Sequence, residues 1–379
     1  MRTRRPRQKR PGGIAVLSAV MLVALVIMLT FAVDVGYLCI ARGELQRSAD
    51  AAAIAGAWEL IDSGALTRSS NPTQLQTNVR NIAGQYAGLN SVLRASPQLC
   101  TDDVVVGRID NLDEGGGELD TSGASPPNAV RVRVQRTANQ NGEVPMFLAR
   151  IMGLDSAAAE AEATAVLVTS FSGFQTPANG GNLDIVPLAL DLNTWNGLLA
   201  GVGTDNWRYD AGTNRVVAGS DNVLEVNLYP QGTGSPGNRG TVDIGSSNNS
   251  TADIARQILH GVSPSDLAHH GGKLELDADG ELELNGDTGI SAGVKDELAS
   301  IIGKKRIVPI FQSVVGPGNN ATYTIVQFAG IRIMEVRLTG AASSKRVMIQ
   351  PANCVAHGAI PSSAANTSSF VYSPVWLLR

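Results

Sequence analysis

Four histidines, His260, His269, His270 and His357, are the residues best suited to ligate a metal or move a proton near neutral pH, and none stands in a His-Glu-x-x-His or similar frame. The pair His269-His270, followed by Gly271-Gly272, reads as a solvated turn. Asp277, Asp279, Glu281 and Glu283 approach the spacing of a calcium loop. Its sixth position, where the chain must turn sharply, is however Leu282, and the glycine, Gly280, comes fourth. Alternation of Leu274-Glu-Leu276 and Leu282-Glu-Leu284 around Asp277-Ala-Asp-Gly280 assigns these acids to the wet face of a hairpin. Gly201-Val-Gly203 is too short for a nucleotide loop. The three cysteines, Cys39, Cys100 and Cys354, form no Cys-x-x-Cys pair; in an exported segment a Cys100–Cys354 disulfide and two separate thiols are both open. These residues name no catalytic group, metal site or cofactor, and the expectation is a protein that is not an enzyme.

The elements that position them start with a membrane anchor. Ile14 to Val33 is a run of 20 residues without a charge, with only Ser18 and Thr30 polar. As a helix it spans roughly 30 Å, the thickness of a bilayer's hydrocarbon core. Arg2, Arg4, Arg5, Arg7, Lys9 and Arg10 precede it and predict a cytoplasmic N-terminus, with the bulk of the chain periplasmic or extracellular. The run is longer than a cleaved signal's apolar core, and the basic flank argues against a buried core helix. Gly12-Gly13 lies where prepilin peptidases cut, but Ser18 stands where their substrates usually carry Glu, so an uncleaved N-terminus is expected.

Beyond Val33 the helical pattern continues to Leu60 as a stalk. Leu38, Ala41, Leu45, Ala49, Ala52 and Gly56 share one face, while Arg42, Gln46 and Asp50 share another. The small residues permit close helix approach, and two partners for them are open: another membrane helix, or the chain's own next domain. The order Asp34-Val-Gly36, Arg42, Leu45-Gln46 and Ala49-Asp50-Ala-Ala52-Ala53-Ile-Ala-Gly56-Ala57 resembles the N-terminal segment of TadG-like proteins of the tight-adherence (Flp) pilus-assembly system. Ser48 stands where that family usually has Ala. The resemblance implies a single-pass bacterial membrane protein acting by contacts with Tad-system membrane proteins or with itself. Some such proteins carry a metal-binding von Willebrand A module signed by Asp-x-Ser-x-Ser. Asp120-Thr-Ser122-Gly-Ala124 ends in Ala within a Gly- and Pro-rich loop, so that site is not carried over.

Composition agrees with an exported, β-rich remainder. Aromatic residues make up only 4% of the 379, and 41 glycines indicate small-residue packing with many turns. Six of the 30 Lys and Arg residues precede the span, which leaves 24 against 34 acidic residues and argues against nucleic-acid binding.

The expected fold class is α+β: a transmembrane helix continuing into a stalk helix, then two β-rich α+β extracytoplasmic domains. The boundaries are a basic tail over 1–13, the span over 14–33, the stalk over 34–60, a small α+β domain over 61–170, a linker over 171–182, a second domain over 183–357 and a C-terminal tail over 358–379, of which the Ser- and Ala-rich stretch Gly358 to Thr367 is expected to be mobile. Within the first domain Pro72 opens a helix to Leu89 that could fold back along the stalk. Strands follow at Val104–Val106, Val130–Val134 and Ala161–Val168, with a short helix over Met146–Met152, an order similar to that after the anchor in TadG-like proteins. In the second domain, caps predict helices after Ser250 or Thr251 and after Ser291, a loop covers Pro230–Gly240, and strands run over 307–315, 323–328, 331–338 and 347–350. The expected function is structural, in Flp pilus biogenesis or surface attachment. A membrane-tethered adhesive or ligand-binding module carried by residues 183–379 is the alternative, with an envelope hydrolase behind it. A cleft with Asp or Glu beside His260, His269 or His357 would favour the hydrolase.

Overall fold

A computed structural model describes residues 13–110, 117–229, 240–245, 250–287, 292–316, 320–341, 344–362 and 367–378. The basic residues 2–10, the cleavage question at Gly12, the Ser291 cap and the loop over 230–239 lie outside them. One helix, α1, runs without a break from Gly13 to Trp58. Span and stalk are therefore a single rod, as the Ala- and Leu-rich sequence without proline favours. Its first half is apolar enough to cross a membrane, with a mean hydropathy of 2.9, and none of it is buried among the described residues.

The second half of α1 is not a free stalk. The chain turns at Leu60 and returns in α2 (Pro72–Leu89), opened by Asn71, whose side chain accepts the Thr73 and Gln74 N–H groups, with proline in the first turn. The Ser48 hydroxyl donates to the Ala87 carbonyl at 3.2 Å, while Gly56 lies against Val79 and Ala83, so the two helices run antiparallel. Both cover one face of an antiparallel sheet. Its strands are β1 (Val104–Gly107), β2 (Ala129–Arg136) and β5 (Ala159–Val166), in spatial order, with a small ladder of β3 (Val144–Pro145) and β4 (Ser156–Ala157) beside it. Val130, Val132 and Val134 alternate inward as their period-two pattern demands and join Ala41, Leu45, Ala49 and Ala53 in one core. Only Ala149–Met152 of the expected short helix forms, as one 3-10 turn.

A distal unit begins sooner than expected. Phe171–Gln175, inside the proposed linker, is strand β6, and Phe171 and Phe174 are wholly buried in its core. The following elements are β7 (Leu190–Asp191), α3 (Leu192–Leu199), the hairpin β8 (Trp207–Asp210) and β9 (Arg215–Ala218), and β10 (Val226–Tyr229). After β11 (Thr241–Val242) come α4 (Thr251–His260) and α5 (Pro264–Ala268), then β12 (Lys273–Glu275), β13 (Leu282–Asp287) and α6 (Lys295–Ser300). Long strands β14 (Lys305–Val315) and β15 (Ala321–Arg337) precede β16 (Arg346–Pro351). Together they build a sheet of order β10-β16-β15-β13-β11, with β14 paired to β15 and to β7. The expected break between 328 and 331 is absent. Gly330 continues β15 because the main chains of Ala352 and Phe370 press on it, and a Cβ there would meet their carbonyl oxygens at 2.5 and 2.3 Å.

Nor do 274–276 and 282–284 form a hairpin with each other. The turn exists, with Asp277 accepting from Asp279 and Glu281, yet β12 pairs with β6 while β13 pairs with β15 and β11. Leu274, Leu276 and Leu284 enter the same core from two sheets, so the alternation was right and the partner differed.

The C-terminal tail is structural too, and Ala359–Pro361, within the stretch expected to be mobile, is a strand. Strands β17 (Cys354–Val355), β18 (Ala359–Pro361), β19 (Ser368–Ser369) and β20 (Val371–Tyr372) pair within the distal unit. The last strand, β21 (Trp376–Leu378), then crosses back and completes the first sheet beside β5. The outgoing and returning chains are bonded where they pass: Val168 N–H donates to the Ser373 hydroxyl at 2.9 Å, and Ser373 N–H to the Val168 carbonyl at 3.0 Å. Residues 61–168 are thus completed by the far end of the sequence.

Candidate functional site

The residues singled out on α1 fall into three environments. Asp34, the first charge after the apolar run, is only 5% exposed, because its carboxylate reaches into the segment after β3. Oδ1 accepts the Phe147 N–H at 2.8 Å, Oδ2 accepts that of Ala149 at 2.6 Å, and both oxygens take up Leu148 N–H at 3.3 and 3.1 Å. Three successive donors at the start of a 3-10 turn form a cradle suited to an anion. Burial pushes the Asp34 carboxyl up, but the three main-chain donors outweigh it and hold the group below the usual carboxylate range. One turn on, the Tyr37 ring meets that of Phe147 edge to face at 4.8 Å.

The small-residue face is occupied. Leu45, Ala49, Ala52 and Ala53 are fully buried against α2 and the sheet. A Cβ on Gly56 would stand 3.2 Å from Val130 Cγ1 and 3.4 Å from Val79 Cγ1. Of the two partners open for this face, the chain's own domain is the one in place. Gln46 fastens the helix to the sheet: its Nε2 donates to the Glu162 carbonyl at 3.1 Å and to Asp50 Oδ1 at 2.8 Å. Gly36 and Arg42 differ from the rest. Arg42 is exposed, and a Cβ on Gly36 would meet nothing within 4 Å.

Sequence reasoning missed Phe147, Leu148 and Ala149 as partners of Asp34, and Glu44, whose carboxylate accepts the Leu93 N–H at 2.7 Å. The legible signal was Met-Phe-Leu-Ala-Arg-Ile-Met-Gly-Leu over 146–154, too apolar for a solvated turn and too short to be a core helix.

Elsewhere the readings separate. All three cysteines are free: Cys100 is exposed, whereas Cys354 is buried, donates toward the Arg306 carbonyl at 3.4 Å, and has its thiol pushed up to about 11 by burial. The Cys100–Cys354 pairing is therefore not formed. His260 and His269 do meet Asp266 in an open cleft of about 480 Å³ lined also by Asn182, Arg256 and Ser263. Asp266 is already engaged there. Both its oxygens take the Arg256 guanidinium, at 2.6 and 2.9 Å, and it completes a capping box with Ser263 at the start of α5. Burial alone would raise this carboxyl, and Arg256 with Ser263 lowers it. The arrangement staples α4 to α5 rather than pairing a base with a nucleophile. Among the described residues no group of three or more His, Cys, Asp or Glu side chains is placed to hold a metal.

Two family comparisons cover the membrane-proximal part. Residues 12–59 match the Flp pilus-assembly TadE/G-like family, and residues 55–165 match the Tad-like Flp pilus-assembly family. Searches of curated proteins and of solved structures found no match. The matched residues end at the last residues of β5, so the distal unit falls outside both.

Proposed function

Over residues 12–165 the chain is a TadG-like Flp pilus-assembly protein, and on that premise we propose that it works as a single-pass structural subunit, acting by contact rather than turnover. In this reading Ile14–Val33 crosses the cytoplasmic membrane, the basic residues 2–10 stay in the cytoplasm, and everything from Asp34 onward lies outside. The observation that carries it is the Asp34 cradle. The first polar residue beyond the apolar run is bonded directly into the folded domain, so the domain sits on the bilayer with no flexible tether. Force or position at the membrane is then transmitted rigidly to the outer surface, as an assembly subunit requires. Since the small-residue face is filled from within, partner contacts fall to the span and to the exposed side of α1 around Arg42.

Bacterial two-hybrid and membrane co-purification test the assembly role; recovery of Tad-system membrane proteins or a second copy is expected, and recovery of neither contradicts it. Topology is tested with the native thiols. A membrane-impermeant maleimide added to intact spheroplasts labels exposed Cys100 and spares buried Cys354.

The adhesive reading is favoured by one observation, that the distal unit has its own cores and lies outside the matched residues. Removing residues 183–379 would also remove β21 from the first sheet, so the discriminating deletion joins Val168 to Ser373, which already touch. Loss of attachment with intact pili supports adhesion, and loss of pili supports assembly.

A further inference from the structure

The end of the apolar run and an uncovered apolar loop meet at Asp34. By holding the N–H groups of Phe147, Leu148 and Ala149, this carboxylate fixes residues 146–154 beside the point where α1 leaves the hydrocarbon. Four large side chains of that loop are more than half exposed: Phe147 is 53% exposed, Ile151 81%, Met152 61% and Leu154 58%. Such a cluster on a surface loop marks an interaction site.

The loop's main chain suits lipid as well. Exposed turns usually leave their N–H groups to water, but here Met146 donates to Asp155, Ile151 to Leu148, Gly153 to Arg150 and Leu154 to Ala149, at 2.9 to 3.1 Å. With the three donors taken by Asp34, nearly every amide of the segment is satisfied internally, which is the condition for entering a low-dielectric layer. The charged groups sit as a rim. Arg150 and Asp155 pair at 3.8 Å and are largely exposed, an arrangement that lets a long cationic side chain reach headgroups while its neighbours go deeper. Tyr37, packed on Phe147, supplies the aromatic with a polar tip that favours the interface.

We infer that the loop over 146–154 is a membrane-seated wedge. Its side chains enter the headgroup–acyl boundary of the outer leaflet, so the first domain is held to phospholipid at two points, the span and the loop. The inference rests on the topology proposed above. The occupant is the bilayer because the loop is continuous with the span's own lipid contact through Asp34.

The test uses the full chain with Cys39→Ser and Cys100→Ser, reconstituted in phosphatidylethanolamine–phosphatidylglycerol vesicles. An environment-sensitive NBD label is placed singly at Ile151→Cys, at Leu25→Cys in the span, or at Thr121→Cys at the Gly56 end of the domain. Labels are read for quenching by shallow doxyl-labelled lipid, by deep doxyl-labelled lipid for residue 25, and by aqueous iodide. Unchanged thermal unfolding shows that each variant folds; Ile151 packs on little, so none is expected to shift. The expected result is blue-shifted emission at 151, several-fold stronger doxyl quenching there than at 121, and shielding from iodide. A 151 label that behaves like 121 while 25 is quenched by lipid overturns the wedge alone. Shielding from iodide without doxyl quenching puts protein, not lipid, on the loop and also overturns it. If lipid quencher fails to reach residue 25, the span reading falls and takes the wedge with it.

Discussion

The two halves of α1 are equally helical, yet the first is an uncharged apolar run, the second carries Arg42, Glu44, Arg47 and Asp50 beside its alanines, and their surroundings are opposite. From Ile14 to Phe31 the large Leu, Val, Ile, Met and Phe side chains are more than half exposed among the described residues. From Ala41 to Ala57 the buried positions are mostly alanines, with Leu45 the one large side chain among them. Lipid tails fill any contour, so a span gains from bulk. A helix laid against a sheet and a second helix gains from close approach, which small residues allow. Side-chain size on the apolar face, together with hydropathy, therefore distinguishes the two halves of one continuous rod.

Substitutions sharpen that contrast. The largest effect is expected for Leu45→Asp, which buries a carboxylate with no partner where a fully covered leucine stood. A loss on the order of 4 kcal/mol or more should unfold the membrane-proximal domain, read as collapse of its protease resistance in nanodiscs. Leu25→Asn in the span should leave that resistance unchanged. Next is Gly56→Leu, which drives a side chain into Val130 and Val79 and should cost about 1–3 kcal/mol, measured as a lowered midpoint of thermal unfolding. Gly36→Leu is the matched control on the same helix: with open space around it, unfolding should shift by less than about 0.5 kcal/mol. Loss of partner recovery by Gly36→Leu with unfolding unchanged would locate a contact outside the chain.

Asp34 joins the halves and gives the smallest, pH-dependent effect. Its carboxyl is lowered in the folded state, so its contribution is present above the ordinary carboxylate value near 3.9 and is lost as pH falls through the lower folded value. Asp34→Asn should flatten the pH dependence of unfolding below about pH 4 and leave it unaltered at pH 7 to 8 apart from a constant offset. An identical acid limb in both proteins would remove the charge of Asp34 from the account.

The local pattern was readable where one stretch of sequence decides the structure. The α2 limits follow from Asn71 and Pro72, the β2 face from Val130, Val132 and Val134, and the α1 face from its alanines. What stayed hidden was which partner each face takes. Leu274 and Leu284 alternate as expected but pair with strands distant in sequence, and β21 joins a sheet whose other members lie more than two hundred residues earlier. Non-local pairing of this kind leaves no periodic trace. The Asp34 cradle was half legible: the residue opens the Asp34-Val-Gly36 motif that carries the resemblance, while its partners are main-chain amides, which any sequence supplies.

Hydrogen exchange on the full-length chain in nanodiscs tests most directly whether α1 is at once span and domain core. Residues 14–33 and 38–57 should both be strongly protected, and Leu45→Asp should strip protection from 38–57 and 72–89 together while 14–33 keeps its own. Fast exchange over 38–57 in the unsubstituted protein, or protection there that survives Leu45→Asp, would mean a free-standing stalk and contradict the account.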